Sequence, residues 1–205
     1  SNQASSFFGI SVSTAGDVNG DGYSDVIVGA DSYDNGQTDE GRTFVYHGSA
    51  SGLSATANWT AESNQTGAYF GFRVSTAGDV NGDGYSDVIV GAYGYSSNAG
   101  RSYIYFGGAL MNNTADVTMT GESANNLFGL SVSSAGDVNA DGFTDVFIGA
   151  SGYSSNTGRA YIYFGGAVVD NIADVTMTGE TTNNNFGLSV SSAGDVNVDG
   201  YADVI

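Results

Sequence analysis

Residues 128–150 read FGLSVSSAGDVNADGFTDVFIGA, and this stretch decides the fold. It opens on Phe-Gly and alternates through Ser131, Val132 and Ser133. A nine-residue acidic loop follows, and then the apolar run Val146, Phe147, Ile148. Alternation followed by a continuous apolar run predicts one strand with a single buried face, a loop, and a second strand buried on both faces. The block recurs: Phe-Gly stands at Phe8-Gly9, Phe70-Gly71, Phe128-Gly129 and Phe186-Gly187, spaced 62, 58 and 58 residues apart. A near-constant period of this length marks a repeat architecture in which each unit covers its neighbour's apolar face.

Each unit continues with GRAYIYFG (158–165 in the third copy), rich in strand-forming aromatics, and with DVTMTGE at 174–180. Four short strands in some 58 residues, glycine-rich turns and no helical period predict an all-β fold, a β-propeller of four-stranded antiparallel blades. A β-sandwich is the rival, but it would not need near-identical units. The expected division is 1–9 as the end of a preceding blade, full blades at 10–69, 70–127 and 128–185, and a truncated blade at 186–205. That makes an incomplete arc of about three and a half blades, with open edges available for self-association. Two copies would supply about seven blades, but a truncated parent accounts better for a last unit that stops inside its apolar run.

The acidic loop carries the chemistry. DVNGDGYSD occurs at 17–25 and again at 79–87, DVNADGFTD at 137–145 and DVNVDGYAD at 195–203. Side-chain oxygens stand at positions 1, 3, 5 and 9 of each loop: Asp17, Asn19, Asp21 and Asp25; Asp79, Asn81, Asp83 and Asp87; Asp137, Asn139, Asp141 and Asp145; Asp195, Asn197, Asp199 and Asp203. The main-chain carbonyl at position 7 (Tyr23, Tyr85, Phe143, Tyr201) adds a further donor, and glycine at position 6 permits the sharp turn around an ion. Hard oxygens in an irregular all-protein cage favour Ca2+ over Mg2+, one ion per loop and up to four in all. An EF-hand fits poorly, since it would need flanking helices and a Glu at position 12, where the sequence has Val28, Val90 and Ile148. One such loop could be an Asx-rich turn capping a hairpin; four in phase call for a cation, because 12 of the 22 acids are concentrated in them.

Charge narrows the partners. The 205 residues contain 22 Asp and Glu against four arginines, a net charge of −18, which repels nucleic acid and anionic membrane surfaces. No apolar run is long enough for membrane insertion. With no cysteine or lysine, one histidine and the carboxylates committed to metal, no nucleophile with a matching base can be assembled, which argues against an enzyme.

Phe-Gly, the DxNxDGxxD loop, the VIVGA that follows and the GRxYIYFG strand together resemble the FG-GAP repeats of integrin α-subunit propellers and of many bacterial surface and secreted proteins. The resemblance implies a seven-bladed propeller in an extracellular or cell-surface protein, with calcium between the first and second strands of a blade and an adhesion-like function toward a protein or glycan ligand. The alternative it allows is the non-catalytic propeller portion of a secreted hydrolase or lyase. Gly-Ala-Pro of the family is replaced by Gly-Ala-Asp, Gly-Ala-Tyr and Gly-Ala-Ser at 29–31, 91–93 and 149–151, which points to a divergent, bacterial branch.

Other residues carry narrower expectations. Arg42, Arg101 and Arg159 share one position, suited to a salt bridge or to stacking on a blade tyrosine. Arg73 replaces serines of the innermost strand, and a local ion pair is the expectation for it. Glu62, Glu122 and Glu180 are read as ending the fourth strands in register, and His47 as an ordinary substitution for Phe106 and Phe164. In an antiparallel meander the loops between first and second strands emerge on one face, and those between second and third strands, with the blade-to-blade links, on the other. The first unit is longer at 31–41 and, on the glutamate alignment, between Glu62 and Phe70, both opposite the metal. Ligand contact is therefore expected at 31–40, 63–69, 93–99 and 151–157, with Tyr33, Tyr95 and Tyr153 as anchors.

Overall fold

A computed structural model describes residues 3–205, so the first two residues of the 1–9 segment lie outside the described residues. Three four-stranded antiparallel sheets follow one another along the chain. The first holds β1 (Ser11–Gly16), β2 (Asp25–Ala30), β3 (Arg42–Tyr46) and β4 (Trp59–Glu62); the second holds β5 (Arg73–Gly78), β6 (Asp87–Ala92), β7 (Arg101–Tyr105) and β8 (Val117–Thr120). The third holds β9 (Phe128–Gly136), β10 (Asp145–Ala150), β11 (Arg159–Tyr163) and β12 (Val175–Thr178), and β13 (Ser192–Gly194) pairs with β14 (Asp203–Val204) in a fourth, two-stranded sheet. In each four-stranded sheet, strand order follows chain order. The architecture is the expected arc of propeller blades.

The blades are held face to face by apolar cores that neither neighbour could close alone. Between the first and second blades lie Ile27, Val45, Trp59, Phe70, Val90, Tyr103 and Tyr105; between the second and third lie Ile89, Ile104, Met119, Phe128, Val146, Ile148, Tyr161 and Tyr163. This explains the continuous apolar run of each second strand, since β6 and β10 are buried along their whole length. The Phe of Phe-Gly is the wedge. Phe70 is fully buried and meets Tyr103 edge-on at 5.1 Å, and Phe128 meets Tyr161 in the same way at 5.3 Å. The glycine of each second strand lets the next blade's Phe-Gly approach: a Cβ on Gly29 would run into the Gly71 carbonyl oxygen, and one on Gly91 into that of Gly129. Trp59 donates from its indole across the first junction to the Asn112 carbonyl at 2.7 Å.

Two local features depart from the sequence reading. Tyr95–Asn98 and Tyr153–Asn156 each form one short turn that is left-handed: Ser96, Ser97 and Asn98 have φ of +49°, +58° and +61°, and Ser154, Ser155 and Asn156 repeat the pattern. The glutamates are out of register. Arg42 pairs across the ladder with Glu62, but Arg101 pairs with Thr120 and Arg159 with Thr178, so Glu122 and Glu180 stand two residues past their strands. With Glu62 equivalent to Thr120, the extra residues between Glu62 and Phe70 disappear. Only the three-residue insertion between Gly29 and Arg42 remains opposite the acidic loops.

Candidate metal centres and the opposite face

Each acidic loop is wound around the carboxylate of its first residue. Asp17 Oδ1 accepts from the main-chain N–H of Gly20 and Asp21, and its Oδ2 from Gly22, at 2.8, 3.1 and 2.8 Å. Asp79 repeats this with Gly82, Asp83 and Gly84, and Asp137 and Asp195 keep the bonds to positions 5 and 6. Asn19, Asn81, Asn139 and Asn197 each accept from the N–H of position 5, while Asp21, Asp83, Asp141 and Asp199 accept from that of position 7, whose residues are Tyr23, Tyr85, Phe143 and Tyr201. Gly22, Gly84, Gly142 and Gly200 all have φ near +90°, the left-handed region the turn demands.

The ninth residue has a second task. Asp25, Asp87 and Asp145 are buried, and each bridges two N–H groups: Val18 and Gly48, Val80 and Gly107, Val138 and Gly165. They thus pin the acidic loop to the connection leaving the third strand. Asp203 is partly exposed and holds Val196 alone. Burial pushes the Asp87 carboxyl up to about 7; its two N–H donors oppose the shift, and Asp83 and Asp79 add to it. Asp145 is raised by the same causes.

The donor set fits a hard cation, although the side chains are not drawn into a coordination shell. Among the described residues no three acidic or histidine side chains stand together at ligation distance. Instead the amides of Asn19, Asn81 and Asn139 donate to Oδ2 of Asp21, Asp83 and Asp141 at 2.8 to 3.0 Å. The twelve loop carboxylates also share their face with no Arg or Lys. All four arginines sit at the other end of the blades, at the start of β3, β5, β7 and β11. Among the described residues the one titratable nitrogen nearby is His47, whose Nδ1 lies 3.1 Å from Asn19 Nδ2, a contact that reading His47 as an ordinary substitution did not foresee.

On the opposite face the arginines do repeated structural work. Arg101 lies over the Tyr95 ring at 3.7 Å, Arg159 over Tyr153 at 3.6 Å, and Arg42 over Tyr33 at 5.2 Å. Arg159 also pairs with Glu122 of the preceding blade at 2.7 Å, and Tyr161 donates to the same carboxylate. Each tyrosine proposed as an anchor therefore has an arginine over its ring. Arg73 makes no ion pair among the described residues; it lies over the Phe72 ring at 4.6 Å and donates to the Phe72 carbonyl.

The first junction also carries an aromatic group that the other blades lack. Tyr69 stacks on Tyr93 with centroids 5.2 Å apart and planes 5° from parallel, and Phe72 meets Tyr93 edge-on at 4.7 Å. Their counterparts at the next junction are Leu127, Ser151 and Leu130. Beside them the buried Asp31 has one carboxylate oxygen without a hydrogen-bond partner, as does the buried Glu40. Burial raises the pKa of both.

The FG-GAP repeat family matches this chain at residues 8–46, 70–105 and 128–163, more than half of its length. The chain belongs to the FG-GAP repeat family. Its FG-GAP units are similar to integrin alpha-5 of Xenopus laevis, 32% identical over 214 aligned residues that take in 98% of this chain and 20% of the relative. Integrin alpha-V of Gallus gallus is 30% identical over 98% of the chain and 20% of its own length, and integrin alpha-PS2 of Drosophila melanogaster 34% over 75% and 12%. The chain thus spans about a fifth or less of these relatives' length. No helix among the described residues is long and apolar enough to cross a membrane.

Proposed function

We infer that this FG-GAP arc is a calcium-stabilised, adhesion-type recognition module acting outside the cell or at its surface, with no catalytic role. The observation that carries the reading is the segregation of charge: four in-phase oxygen-donor loops share one face with no Arg or Lys, while every arginine is at the other end of the blades. Each loop holds one Ca2+ through its Asp and Asn side chains at positions 1, 3, 5 and 9 and the carbonyl of position 7. Bound ions replace repulsion among the carboxylates with attraction and make rigid the ends of the first two strands. Kinship with integrin α subunits supports the surface setting.

Recognition belongs to the opposite face, toward a protein or glycan. Its anchors are Tyr69, Phe72 and Tyr93 rather than Tyr33, Tyr95 and Tyr153, because the first group departs from the repeat and the second underlies the blade arginines. The open outer edges of the arc offer a second mode, pairing with another propeller segment or another copy. Isothermal titration with CaCl2 after chelator dialysis tests the metal reading. One ion per intact loop, up to four, is expected, and no bound calcium contradicts it. Screening against arrays of glycans and matrix proteins tests recognition. Tyr93→Ala is expected to abolish any hit without changing calcium stoichiometry.

A further inference from the structure

The acidic loops are not separate. Each is clasped by the blade that follows. Ser86, eighth in the second loop, donates its N–H to the Asp17 carbonyl at 3.0 Å and accepts the Asp17 N–H on its hydroxyl at 3.2 Å. Gly108, past the third strand of that second blade, donates to the Val18 carbonyl at 2.7 Å. The Tyr85 ring, seventh in the second loop, lies so close over Gly20 that a Cβ there would come within 2.6 Å of it.

The next junction repeats the clasp. Thr144 donates to the Asp79 carbonyl at 3.1 Å, Gly166 to Val80 at 2.8 Å, and the Phe143 ring covers Gly82. At the third junction Ala202 donates to Asp137 at 2.9 Å, but Ala140 replaces the glycine at position 4, with φ of +57°. The glycine N–H that closes on the first carboxylate in the first two loops has no counterpart in the third: Gly20 and Gly82 donate to Asp17 and Asp79, whereas Asp137 receives only Asp141 and Gly142.

We propose that the calcium loops bind cooperatively as a chain. Ordering one loop sets the position 7 and 8 residues that hold positions 4 and 1 of the loop before it. The coupling is strongest between the first and second loops and between the second and third, and weakest between the third and fourth. The proposal rests on the calcium reading above. Position 7 makes the link direct, because the carbonyl assigned to the ion in one loop and the ring that covers the neighbouring loop belong to a single residue. Coupling between binding equilibria is reciprocal, so a defect in either loop weakens the other.

The test is a calcium isotherm of the whole chain, read by isothermal titration and by competition with a chromophoric chelator. The expected wild-type curve is steeper than independent sites allow, with a Hill coefficient above 1. Two variants leave every oxygen ligand in place: Tyr85→Ala removes the ring over Gly20, and Ser86→Ala the hydroxyl on Asp17. Both should keep the stoichiometry while the Hill coefficient falls toward 1 and the first loop weakens several-fold. Asp83→Ala should lose one ion and also weaken the first loop. Should Tyr85→Ala not fold, Ser86→Ala and Asp83→Ala decide the matter. Stoichiometric binding with a Hill coefficient of 1 and variants that leave the first loop unchanged would overturn the coupling while leaving calcium binding intact. No calcium binding at all would overturn both.

Discussion

The two ends of the blades follow different rules. At the acidic end each loop repeats its neighbour almost atom for atom: a first carboxylate wrapped by main-chain amides, and a ninth that in the three full blades is buried against two N–H groups. At the other end the arginine stacks repeat, but the first blade inserts three residues, and the first junction replaces Leu127, Ser151 and Leu130 with Tyr69, Tyr93 and Phe72. Sameness in a repeat protein reports what every unit needs in order to stand. Departure from the repeat at the half-buried Tyr69, Phe72 and Tyr93 is what the proposed recognition site rests on.

Changes that break the common frame should be the most damaging. Gly91→Ala forces a Cβ against the Gly129 carbonyl, a backbone atom that cannot turn aside. A loss of about 3 kcal/mol is expected in urea unfolding, and a loss below a third of that would show that the blades can part without cost. Asp145→Ala should cost somewhat less, about 2–3 kcal/mol, because it strands the Val138 and Gly165 N–H groups while removing a carboxylate whose burial already opposes its charge.

The aromatic group at the first junction should behave in the opposite way. Tyr93→Ala removes a stacked pair worth about 1 kcal/mol and should leave calcium binding unchanged while abolishing partner binding. Equal loss of partner binding from Tyr153→Ala would show that the repeated tyrosines, not the exceptional ones, form the recognition surface.

The smallest effect concerns pH. Glu40 is buried with one oxygen unpartnered, and its folded pKa is raised above the unfolded value of 4.5. The folded state therefore binds more protons than the unfolded chain between those two values, and stability falls as pH rises through that window. Glu40→Gln should flatten the fall and raise the Tm by a few degrees at pH 7 and by little at pH 4. An equal shift at both pH values would locate its effect in packing instead of charge.

How much of this was legible in the sequence depends on how far apart the interacting residues lie. The loops and their strands were legible because their determinants lie within nine residues: the carboxylate spacing, the position 6 glycine and the apolar run after it. The arginine stacks were legible as a shared position. The register of Glu62 against Glu122 was not, because identical letters were aligned where the ladder pairs Arg42 with Glu62 and Arg101 with Thr120. The Tyr69, Phe72 and Tyr93 group was missed because it joins a blade link to the residues just before a first strand and just after a second, which the pairing of Arg73 with Gly91 and the turn from Phe72 N–H to the Tyr69 carbonyl bring together. The left-handed Ser-Ser-Asn turns carry no glycine to announce them, and nothing in the chain pattern distinguishes them from ordinary polar loops.

An acidic end that holds calcium makes the folded chain more stable when the ion is present. Thermal melting of the whole chain in millimolar CaCl2 and in excess chelator tests it most directly. A ligand bound only by the folded state adds about 2.7 kcal/mol per site at a hundredfold excess over its Kd. The expected Tm is higher by about ten degrees or more in calcium, for several sites in a chain of this size, with MgCl2 giving far less. Superimposable curves in calcium and chelator would contradict it.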